Sequence, residues 1–126
     1  MSTLPRFTGA AGVDNTDRRF FTDYQNPTYA ASIAITTKPH AAKTVVQITL
    51  GGALTLTIGV GSSTTPPMVG DEVQFLIKSD ASIRVVTFST GFQPAGTLST
   101  VASKTVSATF VFDGTGWQEI GRAIQA

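Results

Sequence analysis

The sequence predicts an all-β domain, a single antiparallel β-sandwich or jelly-roll-like barrel with an extended N-terminal arm. Three observations lead there. Of 126 residues, 20 are Thr and 10 are Ser against 9 Lys and Arg together, and a β-branched hydroxyl side chain suits a half-buried pleated surface better than a helix. Short runs with apolar residues at alternate positions recur along the chain, separated by clusters of Gly, Pro, Asp and Ser. No stretch carries the 3.6-residue apolar period of an amphipathic helix.

Taken in order, residues 1–28 form the arm and residues 29–126 the β-domain. The arm holds Pro5, Gly9, Gly12 and Pro27, five charged residues between Asp14 and Asp23, and several aromatic rings. It shows no useful period. A purely flexible tail would not carry so many rings, so the arm is expected to order against its own domain or a neighbouring chain. Its partner-binding candidates are Arg6, Phe7, Arg18, Arg19, Phe20, Phe21 and Tyr24, because rings bury large apolar areas and guanidinium groups suit specific polar contacts.

Ala30 to Thr36 is the first strand candidate, closed by Lys38-Pro39-His40. Thr44 to Leu50 and Ala53 to Val60 alternate on either side of Gly51-Gly52, which reads as a hairpin. The polar linker Gly61 to Met68 contains Pro66-Pro67, neither able to donate to a ladder. Asp71 to Lys78 and Ile83 to Ser89 flank Ser79-Asp80-Ala81-Ser82 as a second hairpin, and Thr90 to Thr105 reads as a long loop. Val106 to Phe112 turns through Asp113-Gly114-Thr115-Gly116 into Trp117 to Arg122. The expected core is Val46, Ile48, Leu54, Leu56, Ile58, Val73, Phe75, Ile77, Val85, Phe110, Phe112 and Trp117.

Composition removes several functions. A formal net charge of +1 with no basic cluster gives little attraction for nucleic acid. The absence of cysteine excludes disulfides, thiolate catalysis and thiolate metal sites. Met1 to Ala11 has one Arg and no apolar centre, and no run reaches the length of a membrane span, so a soluble cytosolic product with no membrane partner is expected.

Catalytic material is scarce. His40 is the only histidine and sits in a turn with no acid beside it. Asp71 and Glu72 are adjacent, which on a strand sends them to opposite faces, and they read as the start of a strand after Gly70. Gly59-Val60-Gly61 lacks the rest of a nucleotide fingerprint. Asp14, Asp17 and Asp23 complete no calcium-loop pattern, and no cofactor is expected. Thr55, Thr57, Ser107 and Thr109 would instead give a neutral hydroxyl exterior that packs against protein without desolvating charge, or against sugar. Trp117 reads as core or interface, with a sugar-stacking platform as the alternative.

The succession Gly70-Asp71-Glu72-Val73-Gln74-Phe75, Arg84-Val85-Val86-Thr87-Phe88 with Gly91-Phe92, Thr97-Leu98-Ser99-Thr100 and Ala108-Thr109-Phe110-Val111-Phe112-Asp113-Gly114-Thr115-Gly116-Trp117-Gln118-Glu119-Ile120-Gly121-Arg122 resembles a β-domain recurrent in structural proteins of tailed bacteriophages. The likeness covers roughly residues 53–122 and is most specific at its end. It implies a non-enzymatic virion protein, commonly a homotrimer, made in the bacterial host cytoplasm. A short arm before one compact domain favours a capsid decoration, or cement, protein bound to the major capsid protein lattice on the head exterior. The alternative is a head-fibre or tail-fibre receptor-binding domain, with Trp117, Gln118 and Glu119 available for carbohydrate.

Overall fold

The computed structural model describes residues 21–38, 41–60, 67–93 and 96–124. Among them are ten strands and no helix: β1 (Phe21–Gln25), β2 (Ser32–Ile35), β3 (Ala41–Thr49), β4 (Leu54–Ile58), β5 (Glu72–Lys78), β6 (Val85–Phe88), β7 (Phe92–Gln93), β8 (Gly96–Ser99), β9 (Thr105–Phe112) and β10 (Trp117–Ile124). They form a six-stranded sheet in the order β1-β3-β5-β9-β10-β7 and a four-stranded sheet in the order β2-β4-β6-β8.

The order carries the architecture. From β1 to β8 successive strands alternate between the sheets, and β1, β3 and β5 run parallel, as do β2, β4 and β6. Parallel neighbours need a crossover of about a dozen residues or more, usually a helix. Here the crossover is a strand of the opposite sheet. The expected all-β class holds, but the pairing is mixed rather than antiparallel: only β5/β9, β9/β10 and β6/β8 are antiparallel.

Two expected hairpins are therefore arches between sheets. Leu50 N–H donates to the Lys78 carbonyl, in the line of β3 beside β5, and Thr55 N–H donates to the Ala31 carbonyl next to β2. The chain thus changes layer between them. Two-residue hairpin turns need positive φ, and neither Gly51 nor Gly52 has it. At Gly52 the lack of a side chain serves a different contact: a Cβ there would strike the Tyr29 hydroxyl, which donates to the Ala53 carbonyl at 2.7 Å, while one on Gly51 would make only ordinary contact with the same ring. Ser79 to Arg84 likewise leads from β5 to β6. There the Asp80 carboxylate accepts from Arg84 Nε at 3.0 Å and Nη2 at 2.7 Å. The buried pair Thr100 and Ser79 is joined through their hydroxyls at 2.9 Å.

Alternate residues of both sheets meet in one core. At its centre Phe75, Phe88, Phe92 and Phe110 pack in tilted and edge-on pairs with centroids 4.7 to 5.9 Å apart. Each such ring withdrawn from water stabilises by about 1.5–3 kcal/mol. Every expected core residue is buried except Val85, which is 42% exposed, while Val86 is fully buried. Two adjacent valines leave the strand's parity open, and Phe88, drawn into the aromatic cluster, sets it in favour of Val86. The stretch read as a loop from Thr90 to Thr105 contains β7 and β8, too short for their alternation to register. Within the segment 1–28, residues Phe21–Gln25 form β1 and pair with β3.

Candidate functional site

Of the residues singled out in the arm, Arg6, Phe7, Arg18, Arg19 and Phe20 lie outside the described residues, as do Asp14, Asp17, Gly61 and His40. Phe21 opens β1, and Tyr24 stands on its outer face, 77% exposed. Asp23 pairs with Lys38 at 3.3 Å and accepts from Gln25 at 3.0 Å. Asp71 is buried, and its carboxylate accepts from Met68 N–H at 2.9 Å at the start of β5. Glu72 is directed to the outer face and meets Lys43 at 3.8 Å. These carboxylates serve turns and ladders and do not converge. Among the described residues no three His, Cys, Asp or Glu are grouped to hold a metal ion.

The most ordered polar constellation is the last hairpin. Asp113 Oδ1 accepts from the backbone N–H of Thr115 at 2.8 Å and Gly116 at 2.9 Å, and Gly114 supplies the positive φ of 100° that closes the turn. Beyond the turn, Trp117 is fully buried against Phe112, with ring centroids 5.2 Å apart, and its indole N–H donates to the Gly59 carbonyl at 3.0 Å. A buried ring cannot stack on a sugar, so the platform alternative for Trp117 fails. Gln118 donates to Gln93 across the β10/β7 joint.

A register shift between Thr109 and Phe110 sets Ile120 as an extra residue on β10. Past it, Arg122 lies opposite the core residue Ala108 and so shares its face, as Glu119 does opposite Phe110. Neither is closed over by the core: Arg122 is exposed and Glu119 half-buried. Arg122 grips Glu119 at 2.7 and 2.8 Å and reaches the Thr97 carbonyl of β8 at 3.2 Å, bridging the two sheets.

Hydrogen bonds from Gly116 and then Thr115 hold the Asp113 carboxyl below its ordinary range. A depressed folded-state pKa means stability present above the unfolded value and lost as pH falls through the folded one. Asp113→Ala should therefore melt below wild type at pH 7, with the gap closing as pH falls below the ordinary carboxylate range. Thermal melts of both proteins from pH 2 to 8 check this, and a gap that persists undiminished at pH 2 would show that the ionised carboxylate is not the cause.

The remaining candidates are faces. None of the four strands of the smaller sheet contains a charged residue. Ser32, Thr55, Thr87 and Thr97 line up in one row across its outer side. On the outer side of the larger sheet one row reads Tyr24, Val45, Gln74, Thr109 and Gly121. Thr55 and Thr57 thus belong to a different surface from Ser107 and Thr109, a division that alternation alone does not reveal.

No family model matches the chain, and no curated protein does.

Proposed function

We propose that this is a non-enzymatic structural protein of a tailed-phage virion, a decoration protein that binds the outer surface of the head as a homotrimer. The supporting observation is how the sequence ending that resembles such proteins is employed. Asp113 and Gly114 close the turn, Trp117 is core, and Glu119 and Arg122 join the two sheets. None is left over for chemistry, and the outer faces present mainly neutral side chains suited to packing on other protein without the cost of desolvating charge. Attachment is assigned to the segment before β1, with Arg6, Phe7, Arg18, Arg19 and Phe20 as its anchors and the β-domain as a rigid exterior.

Co-sedimentation of purified protein with empty phage shells and, separately, with host cells tests this. Binding to shells and not to cells is expected. Protein that ignores shells and adheres to cells would replace this reading with a fibre-type receptor-binding domain.

A further inference from the structure

Resting on the oligomeric reading above, we infer that copies of this chain join edge to edge through the six-stranded sheet, β1 of one copy lying beside β10 of the next with Tyr24 seated over the neighbouring Gly121. Among the described residues the C-terminal half of β10 is an open edge. β7 covers only Trp117 and Gln118, leaving Glu119 to Ile124 unpaired on that side by any strand among the described residues. Ile120 and Ile124 are 60% and 51% exposed. Isolated edges are commonly guarded by projecting charges or proline. This one has neither, since its charges, Glu119 and Arg122, are closed on each other.

Gly121 supplies a second observation. It lies inside a strand, where glycine is unfavourable, yet its φ is not positive and a Cβ there would meet nothing within 4 Å. The bulge at Ile120 lies beside it, but Gly121 does not take the positive φ for which a bulge recruits glycine. A strand glycine of this kind suits the close approach of another backbone, and an aromatic ring laid across it restores the missing packing.

Among the described residues β1 is the opposite edge of the same sheet, and it offers that ring. Tyr24 is 77% exposed on β1, and the registers of the intervening strands place it in one row with Gly121. Rotation about an axis along the strands moves nothing along that axis, so the Tyr24 of a second copy arrives level with Gly121. It also preserves strand direction. β1 and β5 run parallel, and two antiparallel steps lead from β5 to β10, so β1 and β10 point the same way and a rotational joint between them is a parallel pairing. Thr22 falls level with Gln93, where β7 ends, so pairing starts at Asp23. The Asp23 carboxylate is already neutralised by Lys38, and the joint brings together two edges without loose charge. Each copy offers one edge of each kind, a head-to-tail contact that closes into a ring when the rotation between copies is a whole fraction of a turn.

The chain contains no cysteine, which makes cross-linking clean. Adjacent strands are about 4.8 Å apart, within disulfide reach. Full-length protein carrying both Tyr24→Cys and Gly121→Cys should, on mild oxidation, give a reducible ladder ending at three chains, while each single variant stays uncross-linked. Dimers from Gly121→Cys alone would mean that β10 edges pair with each other, and would overturn the joint. So would failure of the double variant to cross-link even at concentrations far above those at which wild type assembles. A ladder ending at another number would keep the joint and overturn the trimer. Tyr24→Ala, which leaves the β1 backbone in place, should weaken self-association by roughly tenfold or more, and unchanged association would also count against the joint. Loss of shell binding by a protein that still cross-links as expected would refute the decoration role alone.

Discussion

Replacing Gly91 by alanine is expected to cost about 4 kcal/mol or more and to leave little folded protein at 37 °C. Gly91 stands where the chain leaves β6 in the smaller sheet for β7 in the larger. Its φ of 97° is one that L side chains rarely adopt, and a Cβ there would drive into the carbonyl oxygen and side chain of Ile58. Neither neighbour can yield. Ile58 N–H donates to the Thr90 carbonyl at 3.0 Å, and the Gly91 carbonyl accepts from Trp117 N–H at 2.9 Å, so relief of the clash would break the joint between sheets on one side or the other. Soluble yield and circular dichroism of the variant check this. A Gly91→Ala protein melting within a few degrees of wild type would show that the crossing is looser than described.

Trp117→Ala should destabilise by about 3–5 kcal/mol, the range for removing a fully buried large aromatic. The indole is packed against Phe112 at the mouth of the core and ties β10 to the end of β4 through the Gly59 carbonyl. The corresponding fall in melting temperature is on the order of 10–20 °C for a domain of this size. Trp117→Phe keeps much of the packing and loses the hydrogen bond, so it should fall between the two. An alanine variant as stable as wild type would remove Trp117 from the core and restore it as a surface group.

The faces of the strands were legible in the sequence because burial on one side imposes a period of two, whatever the partner. Leu54, Leu56 and Ile58 are buried as their alternation requires, as are Val73, Phe75 and Ile77. Partnership was not legible. A run that turns back beside itself and a run that crosses to face itself bury the same residues, and Gly51-Gly52 permits either. The contact that decides, the Tyr29 ring over the two glycines, spans more than twenty residues. Val85 and Val86 exchanged roles because a four-residue strand contains too few positions to fix its own parity. β1 was not legible because in Thr22–Gln25 both faces carry polar or half-exposed groups, the property of an edge strand. Of the candidate site, the final turn was readable, since Asp-Gly-Thr-Gly names its own geometry. Glu119 and Arg122 were not recognisable as a bridge, because the bulge at Ile120 alters the spacing that would bring them to one face.

The placement of β1 fixes where the N-terminal segment can be cut. A truncation through residue 28 would remove a strand of the larger sheet, whereas one ending at residue 20 spares it. The decisive measurement is a titration of empty phage shells with full-length protein and with a variant lacking residues 2–20, the variant's β-structure first verified by circular dichroism. Full-length protein should saturate the shells at a copy number divisible by three while the folded truncation fails to bind. Full-length protein that leaves shells bare, or a truncation that saturates them equally well, would contradict the account.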